Sequence, residues 1–397
     1  MNRFAPMLAG AAAVASLVLA TALPGQAQGD FAWPRLLVIG TPGTASGSFA
    51  STNGWGPVLQ RETGVTVRVV PEDNEPQRFR RLTDRRDIQI SSVSGAEMRF
   101  QVQGIGGYAS APPAAMRVLW HHNDTPWGYV VSGNSDIQSI DDVARGGVRV
   151  TRGMFSPPMQ VAVNEALPAF LGLSPEEAAE KIVYIPAGSY AENCRSVVEG
   201  KSDVAYCAPI SSVLAEMEGA PGGIRWLDMP MDREEAWDRF LTHRPDLVPT
   251  TIDLGVSTAR GVGGLTSNFL YTVTADTDEE FAYNLAKWLH ESFDAYKGSH
   301  PLAERMSLEH FRVYLDRSPM PIHAGTVRYL REVGAWTDED DVWNDAAAAL
   351  MDQWLAAREA AMAEARGNRV EINFENPAFL EILARHTEGL EGFRSRI

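Results

Sequence analysis

Four hydroxyls, Thr41, Thr44, Ser46 and Ser48, stand within eight residues of one another, directly after an apolar run at 35–40. A loop that leaves a strand and opens a helix offers free backbone N–H groups beside side-chain hydroxyls. That combination binds carboxylates, phosphates or the ends of zwitterions. It is not a P-loop, since no Gly-Lys-Ser/Thr follows, and it is not a GxGxxG turn. Arg152 and Ser156 occupy the equivalent place after a later apolar run, in Thr151-Arg152-Gly153-Met154-Phe155-Ser156. An arginine there can clamp an anionic group through two parallel hydrogen bonds. Ser92 and Ser94 end a strand-like run beside the first loop, and Tyr206 ends one beside the second. Trp120 and Trp127 flank a polar stretch and are expected to face the same space. The plainer alternatives are an ordinary strand-to-helix turn, a surface arginine and simple strand ends.

Two clusters bring metal-ligating side chains together, His121-His122 and Glu72-Asp73-Asn74-Glu75. Neither has the spacing of HExxH or of an EF-hand loop, so both read as solvated turns. There is no G-x-S-x-G elbow, no cysteine beside a plausible histidine base and no carboxylate pair fixed by a motif. No metal and no cofactor are expected, and the pattern points away from an enzyme.

The elements that would position these residues recur as strand, Gly-containing turn, helix. Short apolar runs fall at 35–40, 65–70, 87–93, 116–120 and 127–131, the last two joined by a loop at 121–126. A second set follows, with strands at 148–151, 182–185, 203–207 and 224–227, a helix at 159–171, and a helix opened by Ser174-Pro175. The chain returns through a β-branched and aromatic strand at 269–274. An amphipathic helix at 278–295 comes next, with Phe281, Leu285, Trp288, Leu289 and Phe293 on one face. Strands alternating with helices argue for a largely parallel α/β sheet. Two such sets, with the chain crossing between them near 129–132 and 270–273, describe two lobes and a hinged cleft. Ligands bind in such folds beyond the carboxyl ends of the strands.

The chain has 397 residues, 45% of them hydrophobic, and a formal net charge of −16. Nucleic acid and anionic membrane surfaces both need clustered cations, so neither is expected as a partner. Arg3, an apolar run at 5–22 and small-residue exits at Ala20-Thr21-Ala22 and Gly25-Gln26-Ala27 form the pattern of a cleaved signal peptide over residues 1–27. Export to the periplasm follows, and no later segment reaches membrane-spanning length. The only two cysteines are Cys194 and Cys207. Residues 191–199 read as a helix and 202–207 as the next strand, which brings the two close enough for a disulfide in an oxidising compartment. Two separately buried thiols are the alternative.

Taken together, these residues resemble the TAXI family, the solute receptors of one class of tripartite ATP-independent periplasmic (TRAP) transporters. The likeness runs over about 35–336. It is carried by Gly40-Thr41-Pro42-Gly43-Thr44-Ala45-Ser46-Gly47-Ser48-Phe49, by Ser139-Ile140-Asp141-Asp142-Val143, and above all by Pro321-Ile322-His323-Ala324-Gly325-Thr326-Val327-Arg328-Tyr329-Leu330-Arg331-Glu332-Val333-Gly334. The resemblance implies a type II periplasmic-binding fold, closure on a glutamate-like amino acid or another small carboxylate, and delivery to a TRAP membrane permease. Phe49 stands where the family carries paired tyrosines, and the first loop has lost glycines. The expected lobes are 30–130 with 270–336, and 131–269, followed by a helical C-terminal extension at 337–397. A ligand-sensing periplasmic module for a membrane receptor and a secreted α/β enzyme are the alternatives.

Overall fold

The computed structural model describes residues 31–396; the expected signal peptide lies outside them. Strands β1 (Leu36–Thr41), β2 (Thr66–Pro71) and β3 (Ile90–Ser94) pair in parallel in the order β2-β1-β3. Each is followed by a helix: α1 (Gly47–Thr63), α2 (Glu75–Thr83) and α3 (Gly95–Gln103). Every one of these helices is opened by a polar side chain that accepts a free N–H of the first turn. Ser46 accepts from Phe49, Asn74 from Gln77 and Ser94 from Ala96.

The next strand departs from the expected pattern. Instead of two strands joined by a turn, β4 (Met116–Ser132) runs unbroken for 17 residues. Its polar middle pairs with β10 (Gly263–Thr274), His121 opposite Leu270 and Thr125 opposite Ser267. His121 and His122 are fully buried, so they are not a solvated turn. Aromatic rings take the place of water: His122 stacks on Tyr271 at 4.3 Å and His121 on Tyr314 at 5.1 Å. Because β10 lies antiparallel between β3 and β4, the sheet is mixed and not largely parallel.

Strands β5 (Val148–Gly153) and β6 (Ile182–Ala187) pair in parallel. Strands β7 (Ala205–Cys207) and β8 (Ile224–Leu227) add antiparallel to the far half of β4, and β9 (Val248–Thr251) adds to that of β10. Two large hydrophobic cores form around the strands, and a smaller third one lies between the C-terminal helices and Ala109. Of the large two, one contains Leu37, Ile39, Trp55, Trp120, Leu270 and Trp288, the other Tyr129, Val150, Phe170, Trp226, Phe240 and Leu265. The changeover therefore falls between Trp120 and Tyr129 on β4 and between Leu265 and Leu270 on β10, slightly earlier on each strand than the hydrophobic pattern suggests. The result is the two-lobed α/β architecture expected of a type II periplasmic-binding fold.

The 159–171 segment is helical but passes through a π-turn at Ala162–Ala166 before ending at Gly172, whose φ of +72° suits a residue without Cβ. The helix expected over 278–295 breaks at Ser292, giving Glu279–Glu291 and a short turn at Phe293–Tyr296. The segment 321–334 has a packing role. A Cβ on Gly325 would lie 2.3 Å from the Glu279 carbonyl, so this glycine lets the helix Ala324–Glu332 approach Glu279–Glu291. Beyond it, a 30-residue helix, Asp338–Gly367, and a second one, Pro377–Thr387, pack on the first lobe. Met351 and Trp354 join its core. In the second lobe, Cys194 and Cys207 form a disulfide with Cα atoms 6.1 Å apart.

Candidate functional site

A cleft opens between the lobes at the carboxyl ends of β1, β3 and β5, where the helix-capping loops converge. It encloses about 670 Å³, its open mouth included. That volume falls in the range of small-molecule sites.

Five of the residues expected to bind come together here. Ser46 and Ser48 enter from the start of α1, Ser94 from the cap of α3, and Ser156 and Tyr206 from the second lobe. Ser156 caps the helix Pro157–Val161, accepting from Met159, and donates its own proton to Glu75 Oε1 at 2.7 Å. Tyr206 stacks flat on Trp127, with ring centroids 5.2 Å apart.

The other five stand elsewhere. The Thr41 hydroxyl is buried and donates to the Pro42 carbonyl, and Thr44 faces solvent. Phe49 is half-buried on α1 and outside the lining. Ser92 sits in the middle of β3, bonded to His122 Nδ1 at 2.9 Å. Arg152 lies beside Tyr184 of β6, not at the cleft. Of the two tryptophans, Trp127 lines the space, whereas Trp120 is a core residue whose Nε1 donates to the Met306 carbonyl.

The acidic turn after β2, expected to be solvated, closes the cleft instead. Asp73 accepts from Gly43 N at 2.7 Å within its own lobe and from Tyr190 N at 3.2 Å across the seam. The Glu75 amide donates to the Phe155 carbonyl of the opposite lobe at 3.0 Å. Burial, reinforced by the charge of Glu97, pushes the Glu75 carboxyl well above its ordinary range, against the opposing pull of Arg78. Arg78 is itself occupied at both terminal nitrogens, while its Nε has no protein partner. It pairs with Glu97 at 2.9 Å, both side chains being almost fully buried, and Glu97 also accepts from Gln101 and Tyr108. A further seam contact joins Arg99 of α3 to Asp246 at 3.1 Å.

The second lobe supplies a less committed cation. Arg244 is 3% exposed and donates through Nη1 to the Pro158 carbonyl, while its Nε has no protein partner. Burial holds its pKa below the usual arginine range. The Tyr206 hydroxyl and Glu75 Oε2 are likewise buried without a partner. Tyr190, bonded to Ser211 at 2.9 Å, has its phenol pushed up to about 12 by burial. No group of three or more His, Cys, Asp or Glu side chains among the described residues is placed to hold a metal ion. No helix among them is long and apolar enough to cross a membrane.

Sequence reasoning missed Asp73, Glu75, Arg78 and Arg244 as site residues. The only signal for the first three was the acidic turn itself, at the carboxyl end of a strand. For Arg244 there was none, because it follows the helix Glu234–His243 with no motif around it.

Among solved structures, the periplasmic aliphatic sulphonate binding protein SsuA from Escherichia coli is 15% identical, with a TM-score of 0.39 over 79% of this chain and 88% of that one. The periplasmic binding protein BugD is 10% identical, with a TM-score of 0.44 over 81% and 98%. An ancestral arginine-binding protein bound to arginine is 13% identical, with a TM-score of 0.41 over 69% and 98%. No curated protein sequence matches the chain. The NMT1-like family matches residues 39–334, a span that carries both lobes and every residue lining the cleft, and the chain belongs to that family.

Proposed function

We propose that the chain is a periplasmic solute-binding protein that closes its two lobes on a small organic anion or amino acid and delivers it to a membrane permease of the TRAP type. One observation carries the binding reading. Four residues from both lobes that line one cleft, Glu75, Arg78, Tyr206 and Arg244, each carry a buried polar atom with no protein partner: Glu75 Oε2, Arg78 Nε, Tyr206 Oη and Arg244 Nε. Buried polar atoms are nearly always paired, so a ligand that supplies the missing partners would offset a penalty of about 1–3 kcal/mol each. A solute touching both lobes favours the closed state by its differential affinity. The reading is of a binder, because the hydroxyls of Ser46, Ser94 and Ser156 already serve as helix caps. The Cys194–Cys207 bridge supports an oxidising compartment. The likeness of the segment 321–334 to TAXI receptors supports the permease assignment.

The test is a thermal-shift and calorimetry screen against amino acids, mono- and dicarboxylates, keto acids and sulfonates. A true ligand at a hundred times its Kd stabilises the fold by about 2.7 kcal/mol. The variant Arg244→Gln is expected to weaken that ligand by about 2–5 kcal/mol. Calorimetry showing equal affinity in the variant removes Arg244 from the site, and a screen with no ligand in any class removes the solute-binding reading.

A further inference from the structure

The C-terminal extension lies beyond the span matched by the family, yet it reaches the back of the cleft through one buried side chain. Arg358, in the middle of the helix Asp338–Gly367, is fully buried and has no carboxylate within hydrogen-bond distance. Its Nη1 donates to the carbonyls of Gln101 at 2.7 Å and Val102 at 3.2 Å. Its Nη2 donates to those of Tyr108 at 2.7 Å and Ala111 at 2.9 Å. Gln101 and Val102 form the last turn of α3, whose carbonyls have no partner within the helix and whose end carries partial negative charge. The guanidinium is therefore placed where α3 needs a donor and a cation. Gly104, the αL residue that ends α3 with φ +70°, is shaped for it: a Cβ there would lie 2.5 Å from Arg358 Nε.

From this anchor the contacts run without a gap to the cleft. Tyr108, held by its carbonyl, donates its hydroxyl to Glu97 Oε1 at 2.5 Å. Glu97 Oε2 pairs with Arg78, and Arg78 Nη1 donates to the Glu72 carbonyl at 2.7 Å, at the head of the turn that carries Asp73 and Glu75. A second tie runs beside the first. The Phe374 amide donates to Ser110 Oγ at 2.7 Å, and the Ser110 carbonyl accepts from Arg80 of α2 at 2.6 Å. The N-terminal end of α3 presents Ser94 and Ala96 to the cleft, and its Arg99 meets Asp246 across the seam.

We infer that the extension is a brace for the binding site: Arg358 is a positioning residue that fixes α3 and the 72–78 turn, the first lobe's share of the cleft wall. This rests on reading the cleft as the solute site. The alternative is a plug that stabilises only the extension's own packing.

Hydrogen exchange followed by mass spectrometry on the full, ligand-free chain separates the two. In Arg358→Met, exchange in peptides covering 95–103 and 72–78 is expected to rise about tenfold or more, with β1 and β2 unchanged. A rise confined to 338–387, or no rise, overturns the brace. If Arg358→Met does not fold, Tyr108→Phe decides, since it cuts the hydroxyl link to Glu97 and keeps the carbonyl that Arg358 holds. Faster exchange at 72–78 with Asp338–Gly367 still protected supports the relay, and unchanged exchange at 72–78 overturns it. No solute enters the measurement, so its failure leaves solute binding standing, just as a failed ligand screen leaves the mechanical tie standing.

Discussion

The two walls of the cleft satisfy their buried arginines to different extents. In the first lobe Arg78 gives both terminal nitrogens to protein partners, Glu97 and the Glu72 carbonyl, and Glu97 is also served by Gln101 and Tyr108, so only Arg78 Nε is left out of the circuit. In the second lobe Arg244 holds one carbonyl and leaves Nε open, beside a tyrosine hydroxyl that is also open. A fuller circuit fixes shape, whereas an emptier one leaves room for a partner from outside. The first wall is thus the more fully satisfied of the two, and the second holds the less satisfied cation.

That contrast can be broken by cutting the fuller circuit. Arg78→Met strands Glu97 as a buried charge and is expected to cost about 3–5 kcal/mol in urea unfolding. The double variant Arg78→Met/Glu97→Leu should recover most of the loss, because no charge is left behind. If the single variant is as stable as the parent, the circuit has no structural weight.

A smaller effect belongs to Glu75, which faces Glu97, Arg78 and Arg244 and meets Ser156 across the seam. Its carboxyl is raised in the folded protein, mainly by burial, so the fold favours the protonated form. The stability linked to that proton is complete below the ordinary glutamate value of 4.5 and is lost as pH rises towards the raised value. Unfolding midpoints measured from pH 4.5 upward should therefore fall more steeply in the parent than in Glu75→Gln. Parallel curves would show that Glu75 titrates normally. His121 pulls the other way: burial lowers it to about 3, so its contribution is lost as pH falls from 6.5 towards that value. The Glu75→Gln difference separates the two.

Smaller again, Ser156→Ala removes one seam hydrogen bond and should lower closure by about 1 kcal/mol, read from the radius of gyration of the ligand-free protein. Smallest of all, Arg244→Gln should leave unfolding stability within about 0.5 kcal/mol of the parent, or raise it, since a poorly paired buried cation is removed. A large loss there would make the second wall as structural as the first.

Much of this architecture is legible in the residues. The apolar runs at β1, β2, β3, β5 and β6 announce strands, and the serines after them announce capped helices, which is why Ser46, Ser48, Ser94 and Ser156 fall on the cleft. What escapes is polarity that tertiary contacts make tolerable. His121 through Thr125 looks like a loop because nothing local reveals the rings of Tyr271 and Tyr314 or the facing β10. Asp73 and Glu75 look solvated because their donors, Tyr190 and Ser156, lie some 80 to 117 residues away. Arg152 looked better placed than Arg244 because it follows a strand. Chain order favours the residue at the strand's end, but the space is bordered by a residue arriving from a helix's end.

The disulfide makes the stability of the second lobe depend on oxidation. Cys194 lies four residues after Tyr190 and Cys207 immediately follows Tyr206, so the bond joins the two elements that bring those tyrosines to the cleft. A crosslink closing a loop of this size removes about 3 kcal/mol of unfolded-chain entropy, and it does so only once oxidised. A reduced copy has the same sequence but lacks that stabilisation, so its second lobe unfolds more readily.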